Sequence, residues 1–182
     1  MVDHVLRYIK GTLDYKMLFI KSKVSLNLGG FCDSDWGSSL IDRRSTTGFY
    51  FSLNPDGPPI SWKTRKQPTV ALSSCEAEYI ALAAAVQEAM FLFSLLKEFI
   101  RQTSIVIQID NQGAMALSKN PIVQNRSKHI DIRYHFIREK VQNGFISLKY
   151  VPSECNVADL MTKPYSKIKL QRFKGMLFGT RY

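Results

Sequence analysis

At VALSSCEAEYIALAAAV, residues 70–86, the sequence changes its period. From Ser73 to Arg101 there is neither Gly nor Pro, and Ala, Leu, Glu and Met dominate, a composition and spacing that predict a long helix. Ser73 and Glu76 fit the capping box S-x-x-E, in which the serine oxygen accepts a helix N-terminal amide and the glutamate reaches back to the amide of the cap itself. Glu76 therefore has a structural task. Steps of three, four and seven residues from Glu78 meet Ala81, Leu82, Ala85, Val86, Ala89, Phe93 and Leu96, an almost wholly apolar stripe. Glu78 heads the buried face, where a carboxylate is costly unless a cation neutralises it. At a helix end it could instead lean on solvent, and spacing alone leaves both readings open.

Upstream of this helix the pattern is that of strands. YKMLFIKS (15–22) reads as a short strand, Gly29-Gly30 as a turn before FCDSDW (31–36), and TGFYFSL (47–53) as a second strand that the cluster NPDGPP turns back into ISWKTRKQ (60–67). Downstream, strand and helix alternate. SIVIQID (104–110) is a strand, NQGAMALSKN (111–120) a short helix stopped by Pro121, SKHIDIRYHFIREKVQN (127–143) an amphipathic helix closed by Gly144, FISLKYVP (145–152) a strand and NVADLMTK (156–163) a last short helix. Strands followed by alternating helices and strands predict an α/β fold, a mixed sheet with helices on its faces. No repeat, low-complexity segment or linker interrupts it.

The 182 residues, 45% hydrophobic with 10 Gly and 7 Pro, suffice for one ordinary core. Twenty-five Lys and Arg against 15 Asp and Glu give a net charge of +10, which points to a polyanionic partner. From Leu160 onward there are basic residues (Lys163, Lys167, Lys169, Arg172, Lys174, Arg181) and no acid, a solvated basic tail or a phosphate contact. Cys32, Cys75 and Cys155 are odd in number, far apart and without C-x-x-C spacing, so reduced thiols and an intracellular setting, cytoplasmic or nuclear, are expected. No apolar run reaches the ~18 residues of a membrane span, and no membrane partner is expected. The opening VDHVLRYIKG reads as a helix already under way, as though the chain began inside a larger ancestral unit.

Three further acids stand where elements begin or end: Asp33 in GFCDSDW, Asp110 closing VIQID, and Asp159 in NVADLM. In a sheet with helical crossovers such positions converge on one crevice, and four carboxylates there cannot all be ionised without cations. Oxygen ligands without a His or Cys cluster specify Mg²⁺ or Mn²⁺. Two such ions ~4 Å apart can activate water on one side of a phosphodiester and stabilise the leaving oxygen on the other.

The order Asp, Glu, Asp, Asp, with the glutamate on the first long helix, resembles ribonuclease H. FCDSDWGSS, DRRSTTGFYFSL, ISWKTRKQPTVALSSCEAEYIALA, IDNQGAMALSKNP, RSKHIDIRYHFIRE and LKYVPSECNVADLMTKP are similar, in order and from about Gly30 to Lys163, to the ribonuclease H domain of copia-type retrotransposon Pol polyproteins. HVLRYIKGTLDY resembles the end of the preceding reverse transcriptase region. The resemblance implies a ribonuclease H-like fold, a five-stranded mixed sheet of order 3-2-1-4-5 with helices on both faces. It divides the chain into 1–28, a remnant of the reverse transcriptase or connection region, 29–164, the ribonuclease H-like domain, and 165–182, a basic C-terminal tail. It also implies an endonuclease that cleaves the RNA strand of RNA–DNA hybrids with two Mg²⁺ or Mn²⁺ ions. Asp33 would bridge both ions, Asp159 would hold the one that activates water, and Glu78 and Asp110 the other; Asp35, on the same strand face as Asp33, is the alternative bridging ligand. Ser73 and Ser74 match the site that holds a DNA-strand phosphate, where free helix amides suit an anion. Gln112 matches a contact to the RNA strand near its 2′-hydroxyls, and Arg126, Lys128 and Arg133 are candidate backbone contacts. For His129 and His135 the sequence leaves a hydrogen-bonded structural role and a backbone contact both open.

Well-studied cellular relatives carry a histidine-bearing loop before the last aspartate and a basic protrusion after the second helix. Here VPSECN is short and has no histidine, and NRSKH is all that corresponds to the protrusion. Retroelement domains that lean on an attached polymerase share this pattern, so a reverse transcriptase domain, in trans or in the ancestral polyprotein, is an expected partner. Integrases place the glutamate last and proofreading exonucleases put D-x-E on the first strand, which disfavours both. The competing reading is a catalytically silent nucleic-acid-binding or relict domain of a truncated retroelement.

Overall fold

The structure is a computed structural model that describes residues 2–21, 25–54, 57–119 and 128–178, with backbone only at 128–131, 167 and 169. Five strands, β1 (Gly29–Ser34), β2 (Thr46–Ser52), β3 (Pro59–Lys66), β4 (Ile105–Ile109) and β5 (Ile146–Tyr150), form one mixed sheet of order β3-β2-β1-β4-β5. β1–β2 and β2–β3 are antiparallel; β1–β4 and β4–β5 are parallel. Hairpins join the antiparallel pairs, whereas the parallel pairs need helical crossovers, as their hydrogen-bond geometry requires.

The predicted long helix is α2 (Ser74–Leu96). Its apolar stripe is the floor of the main core: Tyr79, Leu82, Ala85, Val86 and Ala89 pack with Cys32, Phe49 and Phe51 of the sheet, and with Ile105, Ile107 and Ile109 of β4. Among the described residues α2 is the one helix long and apolar enough to cross a membrane, and half of that apolar window is buried inside the fold. It is a core helix. α3 (Gln112–Lys119) and α4 (Lys128–Gln142) pack on the same side, with Tyr134 of α4 stacked on Tyr79 at 4.0 Å between ring centroids. Gly144, at φ +76, ends α4 in the left-handed conformation that glycine adopts at no steric cost.

The opposite face of the sheet is covered from the C-terminal end. Phe31 and Tyr50 point there and are sealed by Val157 and Ala158 of a 3-10 turn (Val157–Met161) and by Phe173 of α5 (Lys167–Phe178). The segment expected as a basic tail, solvated or in contact with phosphate, carries a helix whose Phe173 is only 4% exposed. Two other readings are corrected. The described part of YKMLFIKS, residues 15–21, is not a strand; Leu18 donates its amide to the Phe178 carbonyl at 2.8 Å and Tyr15 packs edge-on against the Phe178 ring, so the segment meets the end of α5, while Ser22 lies outside the described residues. Gly29-Gly30 is not a turn but the start of β1, where a Cβ on Gly30 would stand 2.5 Å from the Phe51 ring. The opening helix α1 (Val2–Gly11) buries no residue, leaving Val5, Leu6 and Ile9 exposed.

Candidate active site

β1 and β4 run parallel side by side, with Phe31 in register with Gln108. Their carboxyl ends therefore deliver Asp33 and Asp110 to one edge of the sheet, the usual place for a site in an α/β fold. α2 begins beside them and brings Glu78. One carboxylate oxygen from each of Asp33, Glu78 and Asp110 lies within 4.8 Å of the others. Asp33 is 1% exposed and Glu78 7%, and Asp33 Oδ1 and Glu78 Oε2 have no hydrogen-bond partner. Orphaned buried carboxylate oxygens are costly in a fold that otherwise satisfies its polar groups; facing a third carboxylate, they fit a hard divalent cation.

The electrostatics agree. Burial above all, with the charges of Asp33 and Asp110, raises the Glu78 carboxyl to about 9 against a backbone hydrogen bond at Ser34 and the Lys163 ammonium. Burial likewise raises Asp33 to about 7, opposed by the Thr162 hydroxyl and Lys163 and reinforced by Asp159 and Asp110. Burial and the same acids push the Cys32 thiol well up, so Cys32 is an inert core residue.

Glu76 takes the capping task its spacing predicts, with one difference, and Glu78 takes the buried one of the two places its spacing left open. Ser73 Oγ accepts the Glu76 amide at 3.2 Å, but Glu76 Oε2 accepts the amide of Leu72, at 2.9 Å, rather than that of the cap. Asp35 is also spent on structure: Oδ1 accepts the Thr46 amide at 2.8 Å and Oδ2 the Ser38 hydroxyl at 2.6 Å.

Asp159 lies 4% exposed near the group but is otherwise engaged. Oδ1 accepts from Lys163 Nζ at 2.9 Å and Oδ2 from the Tyr165 hydroxyl. Lys163 Nζ also stands 3.5 Å from Asp33 Oδ2, which accepts a hydrogen bond from Thr162. Burial opposes the charge on Lys163, but the hydrogen bond to Asp159 and the charge of Asp33 outweigh it and its pKa is raised. Burial and Asp159 raise the Tyr165 phenol too. Thr162, Lys163 and Tyr165 were missed in the sequence as site residues; the available signal was their spacing, three to six residues beyond Asp159.

This C-terminal arm is anchored deliberately. Asn156, fully buried, caps the 3-10 turn by accepting the Ala158 amide at 3.1 Å and donates Nδ2 to the Cys32 carbonyl at 3.0 Å, next to Asp33. Gly48 faces Asp33 across the β1–β2 ladder, and a Cβ there would stand 2.7 Å from Met161 Cβ and Thr162 Cγ2. Only a residue without a side chain lets the turn lie this close.

Of the expected substrate contacts, Ser73 and Ser74 are exposed at the N-terminus of α2. Gln112 is exposed at the start of α3 and lines a surface cavity of ≈ 480 Å³ with Met115, Lys119 and Tyr150. Arg133 lies elsewhere, in a groove of ≈ 530 Å³ with Lys63, Arg65 and Lys66 of β3. Arg126 and the side chains of Lys128 and His129 fall outside the described residues; His135 is exposed on α4.

The sheet order, the long helix across it and the acidic group at the β1/β4 edge define the ribonuclease H fold. RNase H1 of the halophilic archaeon Halobacterium salinarum superimposes with a TM-score of 0.53 at 19% identity, over 75% of this chain and 94% of that one. No family model matches the chain. The chain is homologous to one segment of the retrovirus-related Pol polyproteins of transposons: it is 41% identical over 174 residues, 94% of its length, to that of transposon RE2 of Arabidopsis thaliana. Identity to that of transposon TNT 1-94 of Nicotiana tabacum is 36% over 177 residues. The chain spans 12% and 13% of the lengths of these polyproteins.

Proposed function

We propose that the chain hydrolyses the RNA strand of RNA–DNA hybrids at internal positions, using Mg²⁺ or Mn²⁺ held by Asp33, Glu78 and Asp110. The observation that carries this reading is the convergence of the three carboxylates, two of them with orphaned buried oxygens, in a homologue of transposon Pol polyproteins. When bound there, a divalent ion supplies Lewis-acid activation of water and of the phosphodiester. By the resemblance Asp159 would join Asp33 in holding a second ion, but both Asp159 oxygens already accept hydrogen bonds, from Lys163 and Tyr165.

The remaining residues bind and orient. The positive end of α2 receives a DNA-strand phosphate, beside the exposed Ser73, whose Oγ accepts the Glu76 amide. Gln112 reads the RNA strand at a 2′-hydroxyl. Arg126, Lys128 and Arg133 contribute charge to the backbone, for Arg133 together with Lys63 and Arg65. Water attacks phosphorus directly as one ester P–O bond breaks; the water gives up a proton to solvent, the departing oxygen takes one up and leaves as a hydroxyl, and no covalent enzyme intermediate forms. Residues 1–28 correspond to the end of a reverse transcriptase region and 29–164 to the catalytic unit. The three free cysteines suit an intracellular setting, and the polymerase partner is a reverse transcriptase domain.

The test is incubation of the purified chain with an RNA–DNA hybrid, single-stranded RNA and double-stranded RNA, in Mg²⁺ and in Mn²⁺. Cleavage confined to the RNA of the hybrid, abolished by Asp110→Asn and by chelation, is the expected result. A folded chain that binds hybrid but leaves it intact in both metals would assign a silent binding domain instead.

A further inference from the structure

Resting on that metal-dependent reading, we infer that Lys163 takes the place of the second divalent ion, so that the chain holds one divalent ion, among Asp33, Glu78 and Asp110. The carboxylate oxygens of the site fall into two groups. Asp33 Oδ1 and Glu78 Oε2 are buried with no donor, and both residues belong to the group that Asp110 completes within 4.8 Å. Asp33 Oδ2 and both oxygens of Asp159 are supplied with donors, from Thr162, Lys163 and Tyr165. One side of the site presents carboxylate oxygens without donors; the other already has an ammonium.

The ammonium bridges Asp159, at 2.9 Å, and Asp33, at 3.5 Å. Those are the carboxylates between which a second divalent ion would sit. A protonated lysine and a dication cannot occupy the same pair of carboxylates, because like charges at that separation repel strongly in a partly buried site. Lys163 is also placed by more than its own flexible stem. Its amide donates to the Asp159 carbonyl at 3.1 Å, and Asn156 ties the turn before it to the Cys32 carbonyl beside Asp33. A lysine so held is a positioning residue: it neutralises Asp159 and keeps the Asp33 carboxylate turned with one oxygen toward the metal side.

The experiment is a Mn²⁺ titration of the full 182-residue chain, by calorimetry and by electron paramagnetic resonance of frozen samples. Wild type is expected to take up one ion with a mononuclear spectrum, and Asp110→Asn to lose that ion. Lys163→Met is expected to bind a second ion and to show the spin-coupled spectrum of a Mn²⁺ pair, whereas Lys163→Arg, which keeps the charge, remains at one. Two ions of comparable affinity and a coupled spectrum in wild type would overturn the inference, and so would a folded Lys163→Met that stays at one. The wild-type stoichiometry decides even if the Met variant does not fold. Hybrid cleavage by a wild type that holds two ions would remove this inference alone, whereas a folded wild type that binds no Mn²⁺ would remove the metal-dependent reading with it.

Discussion

Two glutamates two residues apart on one helix have opposite environments, and the difference makes a measurable prediction. Glu76 is an exposed-end carboxylate that caps α2 through Leu72, whereas Glu78 is buried, raised to about 9 and short of a donor. A carboxyl whose pKa is higher in the folded chain than the ~4.3 of an unfolded glutamate holds its proton more tightly when folded. Its contribution to stability is therefore full below the unfolded value and is lost as pH rises toward the folded one. Asp33, at about 7, acts in the same direction. The metal-free chain should accordingly lose stability between pH 5 and 9, and Glu78→Gln should remove part of that loss, leaving the variant more stable than wild type at pH 8 by on the order of 2 kcal/mol. Chemical denaturation in chelator across that range checks this. Added Mn²⁺ should reverse the order, stabilising wild type far more than the variant; equal slopes with pH in both proteins would contradict the assignment of Glu78 as the buried charge.

At the scale of elements, the C-terminal arm tests whether the site is built or incidental. Gly48→Ala forces a Cβ into Met161 and Thr162, and should destabilise the chain by about 1–3 kcal/mol and weaken Mn²⁺ binding, because the turn that carries Asp159 and Lys163 must lift off the sheet. Phe173→Ala should cost about 3 kcal/mol in urea unfolding if α5 is part of the core; a solvated tail would give no change. α2 was legible in the sequence because its period, its cap and its lack of Gly and Pro all agree, and the acids at strand ends were legible because an α/β sheet sends such positions to one edge. YKMLFIKS was not: an apolar run long enough for a strand instead meets the end of α5, a partner that local pattern does not reveal. α5 itself was hidden by its charge, since Lys and Arg fill the positions around the single deeply buried Phe173. The engagement of Asp159 was harder to see, because Thr162, Lys163 and Tyr165 follow an irregular turn, and their spacing from Asp159, including the i,i+4 pair with Lys163, is the one signal the sequence offers.

The whole molecule is a small acidic site on a strongly basic chain. A net charge of +10 suits a polyanionic partner, and on the proposed reading a divalent ion at the acidic group would bring the phosphodiester the last few ångströms. Binding of a non-cleaved hybrid should thus depend on salt more than on metal. If about three phosphates are contacted, affinity should fall roughly 40-fold between 50 and 200 mM salt, with a similar slope for wild type and Asp110→Asn in a fluorescence anisotropy assay. A salt-independent affinity would mean that the basic surface does not serve nucleic acid.

A metal-dependent hybrid nuclease that works through Glu78 rather than Glu76 would show itself in a comparison of three proteins. Wild type, Glu76→Gln and Glu78→Gln are compared on an RNA–DNA hybrid in Mn²⁺. Gln at position 76 can still accept the Leu72 amide, so that variant should cut like wild type, while Glu78→Gln should lose at least about 100-fold, the scale of removing one ligand's charge from a catalytic cation. Equal activity of all three folded proteins, or loss in the Glu76 variant alone, would contradict the account.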